Sequence, residues 1–152
     1  MRVIAGLEEL RALVGQEIGV SPWMEVSAER IKAFADATDD HQWIHLDAAR
    51  AARESPYGGV VAHGYLTLSL IPALRAAAVT IDGIRMGINY GTNRVRFPAP
   101  LRAGRRVRGQ FTLASFEPIE GGAQLTLNAT VIEEGAAKPC CVAEVVTRLY
   151  PS

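Results

Sequence analysis

A chain of 152 residues with 16 basic and 16 acidic side chains has no formal net charge, so it lacks the electrostatic footprint of a nucleic-acid-binding surface. With 49% of its residues apolar, it reads as one packed domain over 1–152 and not as a disordered chain. Its two cysteines, Cys140 and Cys141, are adjacent. Neighbours on a strand point to opposite faces, so they supply neither a disulfide framework nor a metal-ligand spacing, and a reducing, cytoplasmic setting fits. A surface without surplus charge gains little solubility from repulsion, which favours an oligomer that hides apolar area.

In chain order, the start "MRVIAGLEELRALVG" carries charges where a signal peptide would be apolar, so no leader is expected. Residues 7–14 suit a short helix, and 16–26 an extended stretch with a turn at Ser21-Pro22. Ser27 can cap a helix over "AERIKAFADAT", with Val26 and Ile31 as its hydrophobic staple and Ile31, Phe34, Ala35 and Thr38 on one face. Arg30 stands where a capping box would place a glutamate. This helix should end near Thr38 and hand Asp39 and Asp40 to a loop. Asp47 can cap a second helix over 48–54, and "SPYGG" is a loop.

The longest apolar run spans residues 60–79. His63, Gly64, Pro72 and Arg75 interrupt it, so it predicts a buried helix over 64 to about 77, bent or broken at Pro72, and not a membrane span. From residue 84 the period changes. Val107, Gly109, Phe111 and Leu113 alternate with polar neighbours, as do Leu125, Leu127, Ala129 and Val131, the mark of half-buried strands. "CCVAEVVTRLY" suits another strand, and Gly121-Gly122 and Glu134-Gly135 supply turns. Consecutive strands with short turns form an antiparallel meander whose apolar face needs a cover. The 64–77 helix is the element apolar enough to provide it, which gives an α+β fold: a long central helix wrapped by a curved antiparallel sheet.

Two of the three histidines fall in "DDHQWIH", with Asp40 and His45 five positions apart. A carboxylate beside an imidazole is an acid–base pair able to titrate near neutral pH, and Trp43 and Ile44 can dry its pocket. The same residues also read as a helix end in solvent followed by an ordinary loop histidine. The third histidine stands in "VVAHGYL". Gly64 at a helix start can present backbone N–H groups to an oxyanion, or can serve close packing alone; His63 can cap or pack. Together, an acid–base pair and an oxyanion-binding helix start are the parts needed for chemistry next to a carbonyl.

"FADATDDHQWIHLDAARAARESPYGGVVAHGYLTLSLIP" (34–72) resembles the signature of the MaoC-like dehydratases, the (R)-specific enoyl-CoA hydratases of the hotdog fold. Asp40 and His45 match the family's Asp, four residues, His motif, and His63-Gly64 match its later His-Gly element. "INYGTNRVRFPAPLRAGRRVRG" (88–109) is similar to the segment after the central helix. The resemblance covers about residues 20–150. Trp43 stands where many relatives have proline two before the histidine, as in the nodulation-protein-N-like branch.

The resemblance implies reversible hydration of a trans-2-enoyl-CoA to a (R)-3-hydroxyacyl-CoA. Asp40 and His45 would hold the water, and the Gly64 N–H would hold the developing oxyanion. No metal or other cofactor is implied, since coenzyme A is part of the substrate, and a homodimer is expected. Tyr65, Asn89, Asn93, Arg94 and Arg96 are the candidate substrate contacts, although alternating arginines also read as a solvated strand face. Two alternatives share the fold. A hotdog thioesterase would place its carboxylate on or near the central helix, but residues 64–77 contain no Asp or Glu. A non-catalytic acyl-CoA-binding subunit would commonly lose the pair that is kept here.

Overall fold

The computed structural model describes residues 1–152. A short strand β1 (Arg2–Ile4) leads into helix α1 (Leu7–Arg11), then strands β2 (Glu17–Val20) and β3 (Met24–Val26). Three helices follow: α2 (Ala28–Thr38), α3 (Trp43–Leu46) and α4 (Ala48–Glu54). The central helix comes next in two pieces, α5 (Gly64–Ser69) and α6 (Ile71–Ala78). The remainder is strand: β4 (Val79–Ile81), β5 (Ile84–Arg96), β6 (Arg105–Ile119), β7 (Gly122–Glu133) and β8 (Cys141–Pro151).

The main sheet is antiparallel throughout, in the order β2-β6-β7-β8-β5, with β3 also pairing β6. It packs on α5 and α6, the α+β hotdog arrangement expected from the sequence. The alternation in β6 and β7 holds residue by residue: Val107, Phe111, Leu113, Leu125, Leu127 and Val131 are buried on the helix side. Burying each such large side chain contributes about 1.5–3 kcal/mol. Gly109 completes this face because a Cβ there would lie 2.7 Å from the Phe111 ring and 3.1 Å from Leu74 Cβ, so its bareness lets α6 approach the sheet.

Pro72 divides the central helix as its missing N–H requires. The helical path continues through the bend, with Leu70 N–H donating to Leu66 (3.0 Å) and Leu74 N–H to Leu70 (3.0 Å). Local signals also hold. Ser27 Oγ accepts from Arg30 N–H at 3.1 Å, and Asp47 Oδ1 accepts from Arg50 N–H at 2.9 Å. At the Ser21-Pro22 turn, Ser21 exchanges two bonds with Gly109, its N–H donating to the carbonyl (2.8 Å) and its Oγ accepting from the N–H (2.9 Å).

The first helix is shorter than the 7–14 predicted, ending at Arg11. β1 pairs in parallel with β4, a contact absent from the local pattern, and it buries Ile4 completely. β5 is exposed along most of its length and pairs only with β8, which leaves its other edge open. No helix is long and apolar enough to cross a membrane.

Candidate active site

α2 ends where its last turn meets Asp39, which adopts a left-handed conformation (φ 59°). Aspartate tolerates this region better than most residues. The reversal sends Asp40 outward and starts α3, a single turn in which His45 N–H donates to the Gln42 carbonyl (3.1 Å). That turn points the His45 ring inward, and the residue is buried.

The His45 ring nitrogen Nδ1 lies 2.6 Å from the Val61 carbonyl oxygen. A carbonyl can only accept, so Nδ1 carries the proton and Nε2 keeps its lone pair. Val61 N–H donates back to the Ile44 carbonyl (3.1 Å), and Ala62 N–H to Leu101 (2.8 Å), so the acceptor is held on two sides. The His45 pKa is lowered from its ordinary value, chiefly by burial and further by the neighbouring His63; the Val61 bond and the Asp40 charge oppose this. The net effect favours the neutral form of the His45 ring.

His63 is 3% exposed. Its Nε2–H donates to the Asp40 main-chain carbonyl (3.0 Å), and the same nitrogen lies 3.9 Å from an Asp40 carboxylate oxygen. The His45 and His63 rings stack, with centroids 3.7 Å apart and planes at 22°. One polar side-chain atom from each of Asp40, His45 and His63 falls within 4.8 Å of the others. A carboxylate and two imidazoles at this spacing are groups that can relay protons or ligate a metal ion.

His45 borders a cleft of about 340 Å³ whose lining includes Ile44, Tyr57, Gly64, Thr67, Phe97 and Cys140. Leu66 and Thr67 N–H groups both donate to the His63 carbonyl (3.1 and 3.2 Å), so the Gly64 and Tyr65 N–H groups precede the first bonds of the helix. The ring of Phe97 lies against Gly64. His45 also borders a second cleft, with Lys32, Asp36 and His41 in its wall. Cys140 lies just before β8 and only Cys141 is on the strand; both are buried and unpaired, and burial raises their thiols to about 12 and about 11. Neither is a nucleophile at neutral pH.

The sequence-predicted Asp40, His45 and Gly64 thus gather at one end of the central helix. The five candidate substrate contacts stand apart from their cleft. Tyr65 is exposed at the helix start, edge-on to Phe97. Asn89 borders a different cleft with Ser69, Arg75 and Thr92. Asn93 is exposed on β5. Arg94 borders a shallow cleft with Asn128 and Glu144, and the Arg96 guanidinium donates to the Val95 carbonyl (2.7 Å). Two residues undervalued in the sequence reading are His63, which touches both members of the pair, and Phe97. The signal for the first was its place beside Gly64. For the second it was an aromatic residue opening a proline-rich apolar turn, "FPAPL".

Comparison with known proteins shows the family of the chain. The MaoC like domain family matches residues 9–135. The chain is 46% identical over 149 residues to 3-hydroxyacyl-thioester dehydratase Z of Mycobacterium tuberculosis, covering 97% of this chain and 98% of that protein. It is 45% identical to nodulation protein N of Rhizobium meliloti, over 90% of this chain and 86% of the relative. The crystal structure of the MaoC-like dehydratase from Rhodospirillum rubrum superposes with a TM-score of 0.73 at 26% identity, covering 91% of this chain and 93% of that one. The protein belongs to the MaoC-like dehydratase family. Its class is that of the hydro-lyases, built on the hotdog fold.

Proposed function

We infer that the protein catalyses the reversible hydration of a trans-2-enoyl-CoA to a (R)-3-hydroxyacyl-CoA. The observation that carries this reading is the His45 tautomer: its Nδ1 proton is committed to Val61, which leaves Nε2 as a neutral acceptor beside the Asp40 carboxylate. Water held between Asp40 and His45 gives a proton to His45 Nε2 as its oxygen bonds to C3. The π electrons of C2=C3 move toward the thioester carbonyl, and the Gly64 N–H meets the charge that develops on its oxygen. The proton taken from water returns through the pair to C2, with Asp40 as the group that orients the water and delivers it. Hydroxide and proton are thereby added across the double bond and the thioester stays intact. The two groups titrate as a coupled pair.

No further cofactor takes part, because coenzyme A enters as part of the substrate. The cleft holds the reacting end. The rest of the thioester runs outward past Tyr65 toward β5, where Asn89, Asn93, Arg94 and Arg96 are the candidate contacts for its polar portion. The active form is a homodimer joined along the open edge of β5, and it works in the cytoplasm. Hydration is favoured over thioester hydrolysis because the central helix carries no acidic residue.

The test follows the conjugated enoyl-thioester absorbance of crotonyl-CoA and of a longer trans-2-enoyl-CoA, with a parallel assay for free thiol. Hydration removes the absorbance without releasing thiol, and Asp40→Asn and His45→Gln each lower kcat by about 10²–10⁴-fold. Thiol release would transfer the protein to the thioesterases. A folded protein that turns over neither substrate would leave a non-catalytic acyl-CoA-binding role.

A further inference from the structure

His63 is the residue that ties the acid–base pair together, and the mechanism above gives it no task. It is 3% exposed, directly precedes Gly64, and directs its Nε2–H to the main-chain carbonyl of Asp40 (3.0 Å). That bond fixes its tautomer, so Nδ1 holds a lone pair; Nδ1 is buried and has no partner. One ring contact is the stacked His45, at 3.7 Å between centroids, and another is the tilted ring of Phe34 at 5.0 Å. A buried polar atom without a partner costs stability and calls for an explanation.

We propose that His63 is a positioning residue: it holds the Asp40 main chain and the His45 ring in register for hydration and exchanges no proton with substrate. The proposal rests on the hydratase reading of the same site. Two features of the geometry carry it. The Nε2–H bond clamps the loop just beyond the left-handed Asp39, where the backbone reverses and a carboxylate would otherwise swing freely. The stack sets the plane of the His45 ring, whose Nδ1 bond alone leaves rotation about the Nδ1···O direction open. Two imidazoles in face contact also disfavour a charge on both at once.

The other charged groups around His45 are the Asp40 carboxylate and those bordering its second cleft, namely Glu29, Lys32, Asp36 and His41. Asp36 is bonded to both Lys32 (2.7 Å) and His41 (3.0 Å) and is exposed, so this set is largely self-neutralised in solvent. The stacked His63 ring and Asp40 remain the nearest influences on the His45 charge.

Two variants separate the contacts. H63F keeps a ring against His45 and removes the N–H donor. H63Q keeps an amide N–H near the position of Nε2 and removes the ring. The chain has only three histidines, so ¹⁵N imidazole NMR of the full-length protein resolves His45 in both variants without relying on turnover. Both should move the His45 titration midpoint upward, because a neighbouring ring able to carry charge is gone. In enoyl-thioester hydration H63F should lose roughly 100-fold in kcat with KM unchanged, the scale expected for a misplaced catalytic group, and H63Q should recover part of that loss. Thermal melts of both variants report the fold, and if H63F fails to fold, the H63Q midpoint decides. A His45 midpoint unmoved in the folded variants would overturn the proposal, as would wild-type kcat in H63F or an effect confined to KM. If the wild-type protein hydrates no enoyl thioester, the functional reading fails, while the NMR midpoints still show whether His63 governs His45.

Discussion

The ring of Phe97 occupies the space that a side chain on Gly64 would need: a Cβ built on Gly64 would lie 2.9 Å from Phe97 Cδ2 and Cε2. The helix start and the proline-rich turn after β5 are therefore fitted to each other, and the absence of a side chain at position 64 is what lets them meet beside His45.

Gly64→Ala should displace Phe97 or the helix start, and so move the N–H assigned to the developing oxyanion. Loss of one such donor costs about 10²–10³ in kcat. Pairing Gly64→Ala with Phe97→Ala should recover part of the activity, because the space is returned. Steady-state kinetics on the single and double variants checks this, and equal losses in both would disconnect the contact from catalysis.

The pH dependence has a definite sign. Burial and the neighbouring His63 hold the His45 pKa below its ordinary value. The acid limb of kcat/KM should therefore fall at a pH below that of an unperturbed imidazole, about 6.5. Stability should follow the same group. A buried neutral histidine binds its proton more readily when unfolded, so its contribution is complete above the unfolded pKa and declines as pH falls through the window down to the folded pKa. Denaturant titrations across this range, with His45→Gln as the control, should show a shallower acid-side decline in the variant.

Gly109 provides a test of packing separate from the chemistry. Alanine there places a methyl group 2.7 Å from the Phe111 ring and 3.1 Å from Leu74 Cβ. Overpacking of this kind costs about 1–3 kcal/mol, so Gly109→Ala should lower the midpoint of urea unfolding without altering its slope.

The edge of β5 carries Met86, Ile88 and Tyr90, all at least 41% exposed, on a strand with one unpaired side. Open apolar edges invite pairing with another chain. Light scattering should show a dimer, and Ile88→Glu should shift it toward monomer. A wild-type protein that is monomeric at assay concentrations would remove the dimer from the proposed function.

Much of this architecture was legible because short-range rules dominate it. Ser27 and Asp47 cap helices since each hydroxyl or carboxylate needs only the N–H three residues on. The alternation in β6 and β7 survives because one face is buried on the helix and the other is not. Asp40 and His45 were found as a pair because one loop joins them. The missed features depend on distance. α3 is a single turn, too short to show a period. β5 is exposed on most of its length and interrupted by register shifts, so no alternation marks which of Asn89, Asn93 and Arg94 turn inward. The role of His63 appears only when the chain brings it across to Asp40, 23 positions earlier.

Because the proton on His45 is held by the main-chain carbonyl of Val61, no single side-chain replacement at position 61 can take that acceptor away. Residues 44 and 61 are free to drift among apolar types while the imidazole keeps its orientation. What heredity must preserve instead is the path of the chain from α3 through α4 to α5: a residue inserted or deleted in it would slide the carbonyl past the ring. Lineages descended from this chain should therefore tolerate substitution around His45 far better than a change in the length of that connection.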